Sequence, residues 1–389
     1  MSSKRIPLSI PNLHIEIADN IREAIETGWI TEGKFLTDFE RKFADYTKAK
    51  YAKAVQSGTA GLHLSLLTLG VEPDDEVIVP TLTFIAAVNP VSYCRAHPVF
   101  MDCDDSLNMD PKKLRRFLKE ECVRRGENLI NKKTNRVVRG IVIVHVFGNP
   151  IDMFTIKEIA DEFGLFILED ATEALGSWYT EGVNKNKHCG TIGDIGVFSF
   201  NANKIATTGG GGMVISNNQE HTDQVAFLST QAKSDPWRFR HDEIGYNYRM
   251  TNIAAAVGIS QLNHIEEFVE TKTRNYQLYK KELAKDNLQL IDFNNGTRPN
   301  YWFYSLIVDK NEFGLSNEEL MLALNDIGIQ TRPIWGLIHK QKPYLKAEAY
   351  QIEKAQIYAD LVLNLPCSTN LSSEDVMHVV NAIRNFASK

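Results

Sequence analysis

Hydrophobic positions recur every three or four residues over 13–27, where Leu13, Ile17, Ile21 and Ile25 share a face, and over 34–48, where Phe35, Phe39 and Phe43 do. That period predicts two amphipathic helices. From about 50 to 200 the pattern changes to short β-rich runs alternating with helical stretches. Strands are expected at 51–55, 76–80, 98–101, 138–145, 164–169 and 195–200, with helices at 59–69 and 84–95. Such alternation predicts an α/β fold with a mostly parallel sheet covered on both sides. A long helix over 251–285 follows, then strands at 301–308 and 328–332 and helices at 316–326 and 372–388. This change of pattern predicts a large domain over 1–264 and a smaller α+β domain over 265–389. No internal repeat interrupts the series.

The 389 residues exceed what a single core usually supports, in keeping with that division. Hydrophobic residues make up 43% and charged residues 24%, ordinary globular values. A net charge of −6 argues against a surface that coats nucleic acid. Lysines and arginines do cluster at 111–139, where their spacing fits the solvated face of a helix. The five cysteines show no Cys-x-x-Cys spacing, so free thiols in a reducing compartment are expected rather than disulfides or zinc. The first residues carry no apolar signal segment, and no apolar run approaches the ~18 residues of a membrane span. A cytoplasmic, soluble protein without nucleic-acid or membrane partners is the expectation.

Candidate chemistry sits where strands end. Lys204 follows the apolar run 196–200 and precedes four glycines at 209–212, so a strand end could deliver its amine into a cleft with the backbone close to a ligand. A desolvated lysine amine is a nucleophile, most commonly toward a carbonyl such as that of pyridoxal phosphate; an exposed lysine in a turn is the alternative. Ser57-Gly58-Thr59-Ala60 opens a helix whose amino end could receive a phosphate, or could simply be capped by Ser57 or Thr59. The triphosphate-loop ending Gly-Lys-Ser/Thr is absent there. Leu165 to Leu168 is apolar and ends in Glu169 and Asp170; one such acid could hold a ring nitrogen protonated, or both could cap a helix. Glu173 lies close behind, and Phe84 could stack on a flat ring or belong to the core. The histidines show no metal-ligand spacing, so no metal is expected.

Six blocks in this order resemble the sugar-nucleotide aminotransferases of the DegT/DnrJ/EryC1/StrS family: Gly28 to Gly33, Ser57 to Ala60, Pro80 to Phe84, Glu169 to Ser177, Ser199 through Lys204 to Gly212, and Gly245 to Met250. The resemblance implies a fold type I, aspartate-aminotransferase-like architecture: a mostly parallel seven-stranded sheet in the large domain, and a homodimer with active sites at the subunit interface. It implies that Lys204 is the Schiff-base lysine and general acid/base, with Asp170 paired to the pyridine nitrogen. Glu173 falls near the ring hydroxyl and Phe84 on the ring face. Gly58, Thr59, Ala60 and Ser199 fall at the phosphate, which Asn247 reaches from the other subunit. Trp29, Ile30, Thr31, Arg249, residues 301–304, residues 331–335 including Trp335, and His339 fall in regions that line the sugar-nucleotide pocket.

Two departures stand out. Gly209 to Gly212 lacks the acid common after the lysine, and Ala202 replaces a glycine. The glycine run and Ser229 to Lys233 look closest to the branch that aminates UDP-2-acetamido-4-keto-2,6-dideoxyhexoses, with L-glutamate as donor, in surface glycan biosynthesis. Amination at C-3, or of a dTDP- or GDP-linked sugar, is the alternative. Lys204 argues against the related C-3 dehydratases, which usually carry His there; a non-catalytic ligand-binding protein is the rival from another class.

Overall fold

A computed structural model describes residues 5–235 and 237–387. Its centre is an eight-stranded sheet. Seven strands come from residues 51–216, in agreement with the expected seven, and the short strand Glu348–Tyr350 adds itself in parallel to the edge strand His97–Met101. Strand Gly212–Ser216, which the sequence pattern did not announce, runs antiparallel to both of its neighbours, Tyr51–Val55 and Ile195–Ser199. All other neighbours in the sheet pair in parallel. As a result the carboxyl ends of Tyr51–Val55, Glu76–Pro80, Phe166–Asp170 and Ile195–Ser199 lie along one side of the sheet.

Each sheet face buries its own apolar layer. Helices Gly58–Thr68 and Gln219–Ser229 cover one, through Leu62, Leu64, Leu66 and Val225 against Val77, Val142, Val197 and Val214. Helices Lys34–Thr47, Met153–Phe163 and Asn252–Asn263 cover the other, through Phe39, Phe43, Ile156 and Ala255. A third apolar cluster surrounds the three-stranded sheet of Tyr304–Ile307, Val362–Leu365 and Arg332–Pro333, packed by Ile265–Leu283, Asn317–Asp326 and Ser373–Ala387. Ile6 belongs to this last cluster and bridges to Ile329.

Several expectations shift for local reasons. The helix expected at 84–95 divides into a single 3-10 turn, Ile85–Ala87, and the short helix Asn89–Tyr93, because Pro90 lacks the N–H needed to continue a helix and is tolerated only in a first turn. The basic segment is helical only over Pro111–Glu120; Cys122–Arg125 and Asn128–Asn131 form a hairpin that turns at Gly126, φ 62°. The long helix of 251–285 is two helices that meet at His264. The strand expected at 301–308 is confined to Tyr304–Ile307, since Tyr301 has φ 52°. Of 328–332, Ile329 makes only the bridge to Ile6, and strand pairing starts at Arg332. The last residue of the expected 372–388 helix lies outside the described residues.

Candidate active site

The strand ends converge on a cavity of about 390 Å³. Lys204, Asp170, Glu173, Gly58, Thr59, Ser199, Phe84 and Trp335 all line it, so most of the cofactor set expected from sequence meets in one place. Ala60 lies just beneath, its N–H donating to the Ser57 hydroxyl at 3.0 Å, which makes Ser57 the N-cap of helix Gly58–Thr68.

The floor of the cavity is acidic. Asp170 ends its strand with a buried side chain that accepts from the Thr172 N–H at 3.1 Å. Burial pushes its pKa up; the Thr172 hydrogen bonds and the charge of Lys204 oppose this. A buried acid raised in this way gains most from a cationic N–H placed against it. Glu173 is also buried and accepts from the Phe147 N–H at 2.8 Å. Desolvation pushes it up to about 7, against the pull of Lys204, whose Nζ lies 3.5 Å from Glu173 Oε1.

That shift gives a stability prediction with a definite sign. A carboxyl raised from 4.5 in the unfolded chain to about 7 when folded contributes stability that is complete below about 4.5 and is lost as pH rises through about 7. Glu173→Gln in the cofactor-free protein is therefore expected to gain on wild type as pH rises from 6 to 8.5. Thermal melts across that range check it; a difference that does not vary with pH contradicts it.

The rim has the character of an anion cradle. A Cβ added to Gly58 would meet Ser199 Cβ and Thr172 Cγ2 at 3.0 Å, and one on Gly212 would lie 2.6 Å from the Ser57 carbonyl carbon. Backbone can thus approach closely beside a helix amino end that holds a partial positive charge. Phe84 is 54% exposed although it lines the cavity, so one aromatic face is available to a flat ligand. A buried acid, a lysine, an accessible ring and a cradle at a helix start suit a planar, cationic heteroaromatic phosphate, and pyridoxal phosphate has all of those properties.

Not every expected residue joins this cavity. His339 is set behind it, its Nδ1 2.6 Å from Thr81 Oγ1. Trp29 and Arg249 line a separate pocket, in which Arg249 pairs with Glu32. The carbonyls of Trp29, Ile30 and Thr31 accept from Asn252 and Ile253 at the start of helix Asn252–Asn263. Asn247 bridges to Thr230. Within one chain none of these six residues lines the cavity of Lys204.

Of residues 301–304, expected at the sugar-nucleotide pocket, Trp302 and Phe303 line this cavity, and Trp302 presents its ring 3.9 Å from Lys204 Nζ. The structure also brings in a histidine the pattern did not single out. His145 donates to Glu169, which also accepts from the Gly190, Ile192 and Gly193 N–H groups. Although burial opposes it, these bonds hold the Glu169 carboxyl below its usual range, so of the two adjacent acids Glu169 braces the floor and Asp170 faces the cavity. Among the described residues, His14, His264 and Glu267 gather as a possible metal cluster. The two imidazoles stack 3.5 Å apart and within 3° of parallel, so their in-plane lone pairs cannot converge on one ion.

Comparison with known proteins bears on this geometry. Residues 11–384 match the profile of the DegT/DnrJ/EryC1/StrS aminotransferase family. The GDP-perosamine synthase of Escherichia coli O157:H7 is 37% identical over 389 residues, 99% of each chain. That of Vibrio cholerae is 35% identical over 384 residues, 98% of this chain and 99% of the other. The aminotransferase TlmJ of Streptoalloteichus hindustanus superimposes with a TM-score of 0.88 over 99% of both chains at 27% identity.

Proposed function

The chain belongs to the DegT/DnrJ/EryC1/StrS aminotransferase family and is a pyridoxal-phosphate-dependent sugar aminotransferase; from that premise we propose that it moves the amino group of L-glutamate onto the 4-keto group of a GDP-linked 6-deoxyhexose. The observation that carries the chemistry is the convergence of Lys204, Asp170 and Glu173 on one cavity beside an anion cradle. The guanosine assignment rests on the two relatives named for GDP-perosamine, each matched along nearly its whole length. It takes precedence over the UDP-2-acetamido reading, which rested on the glycine run and Ser229 to Lys233 alone. Family membership as an aminotransferase leaves no place for the purely ligand-binding alternative.

When bound, pyridoxal phosphate supplies an electrophilic carbonyl and a ring that withdraws electrons from the donor's Cα–H bond. Asp170 would hold the ring nitrogen protonated, a pairing favoured by the burial of its carboxyl. Gly58, Thr59, Ala60 and Ser199 would receive the phosphate, and Phe84 would cover a ring face. Lys204 takes the Cα proton from glutamate and returns a proton to the keto-sugar carbon in the second half of the cycle, so one amine serves both directions.

We assign residues 1–264 and 265–389 to separate domains of a cytoplasmic homodimer. In that dimer Asn247 reaches the partner's phosphate, and Trp29, Ile30, Thr31 and Arg249 complete the sugar-nucleotide pocket with Trp335 and His339. Among the described residues no helix is long and apolar enough to cross a membrane. A monomer in sedimentation at assay concentration removes the dimer reading.

The test of substrate is incubation with glutamate and a panel of GDP-, UDP- and dTDP-linked 4-keto and 3-keto sugars, with products read by mass and NMR. Amination of the GDP-linked 4-keto sugar with a kcat/KM at least about 10-fold above the rest, roughly 1.4 kcal/mol of discrimination, is expected. Faster turnover of a UDP-linked sugar reinstates that reading, and failure on every sugar removes the proposal.

A further inference from the structure

Lys204 Nζ lies against two groups that its role as reactive amine does not by itself require. One is the face of Trp302, 3.9 Å away at the ring centre; the other is Glu173 Oε1 at 3.5 Å. The Trp302 ring has little freedom. Its Nε1 donates to the Asn203 carbonyl at 2.9 Å, next to Lys204 itself, and its carbonyl accepts from the buried Lys272 ammonium at 3.0 Å. Asn300 ties the ring to the acid: its Oδ1 accepts from the Trp302 N–H at 3.0 Å, and its Nδ2 donates to the Glu173 carbonyl at 2.7 Å. Phe147 adds a second tie, donating its N–H to Glu173 Oε2 and accepting from the Trp302 N–H at 3.1 Å.

Two non-glycine residues on these connections have left-handed backbone, Phe147 at φ 55° and Tyr301 at φ 52°. Such backbone is costly for bulky side chains and persists where the surroundings over-determine it. Here it places one aromatic face and one carboxylate against the same amine.

Resting on the assignment of Lys204 as the reactive amine, we propose that Trp302 and Glu173 form a holding station in which Glu173 takes the proton that Lys204 must shed before its amine can attack a carbonyl. The step balances: an N–H bond of the ammonium breaks, an O–H bond of the carboxyl forms, and the ion pair becomes a neutral pair. Charge on a buried carboxyl is costly, and Glu173 is buried, so the neutral pair is accessible there in a way it is not on the surface. The Trp302 face steadies the amine while it carries charge. Glu173 is thereby given a second duty beyond any contact with the cofactor ring, and Trp302 is a positioning residue.

The test uses the cofactor-free protein and pyridoxal phosphate as probe, following the rate of capture by absorbance across pH 5.5 to 10. Wild-type capture is expected to rise through about pH 7, where Glu173 titrates, and then level off. In Glu173→Gln the amine loses its proton acceptor, so the rise at about pH 7 is expected to be lost from the profile. Trp302→Leu is expected to lower the glutamate half-reaction rate about 10-fold with little change in KM, within the range a desolvated cation–π contact supplies, and Trp302→Phe to recover most of it. An unmoved pH break in Glu173→Gln, or a Trp302→Leu enzyme as fast as wild type, overturns the proposal. Borohydride reduction of the loaded enzyme with peptide mapping separates the two levels: label on Lys204 with unaffected variants defeats only the holding station, and label on another lysine defeats the Lys204 assignment as well.

Discussion

Lys204→Ala is expected to abolish transamination for both glutamate and keto sugar while leaving the melting temperature of the cofactor-free protein nearly unchanged. The side chain sits on a loop and points into a cavity, with its amine engaged by Glu173 and the Trp302 face rather than by the apolar layers. On the proposed mechanism, removing it deletes the group that carries the proton in both half-reactions, and losses of such a group run to several orders of magnitude. Stopped-flow measurement of each half-reaction, with melts alongside, checks it. A variant that keeps more than a few per cent of wild-type turnover refutes the assignment.

Asp170→Asn is expected to bind pyridoxal phosphate and lose roughly 10²-fold or more in rate, the scale for losing a preorganised charge partner. The amide keeps the size of the carboxylate and can still accept from the Thr172 N–H. It cannot hold a neighbouring ring nitrogen positive. The absorption of the bound cofactor should shift along with the rate, and unchanged kinetics would place the nitrogen's partner elsewhere. Glu169, one residue earlier, serves as an internal control, because its carboxylate is already engaged by His145 and three backbone N–H groups.

Alternation of strand and helix made the large sheet legible from residues alone, and the strand ends located Asp170, Ser199 and Gly58. Chemistry at strand ends is readable because it depends on sequence-local geometry. Strand Gly212–Ser216 escaped because it follows a glycine run that reads as loop and its three central residues, Met213 to Ile215, are all apolar, without the alternation that marks a half-buried strand. The division of the 84–95 helix was written in Pro90 and passed over. Residues 301–304 were legible as pocket lining, but the contact of the Trp302 ring with Lys204 was not, because it depends on the backbone turn at Tyr301 and on long-range bonds, Lys272 to Trp302 across 30 residues and Asn300 to Glu173 across 127. Nor does a single chain place Asn247, Trp29 or Arg249 in the cavity of Lys204; for Asn247 the sequence blocks had already implied a place at the other subunit's site.

The eighth strand has a consequence for how the protein is made. Residues Glu348–Tyr350 close the edge of His97–Met101, and Ile6 waits for Ile329. On a ribosome adding roughly 5–20 residues per second, the sheet assembles long before those partners emerge, leaving an open strand edge for about 10 seconds or more. Such an edge is a template for pairing with another chain. Nascent chains that stall between residue 220 and residue 340 would be the ones that chaperones must shield, and premature termination in that interval should yield insoluble protein rather than a truncated but folded domain.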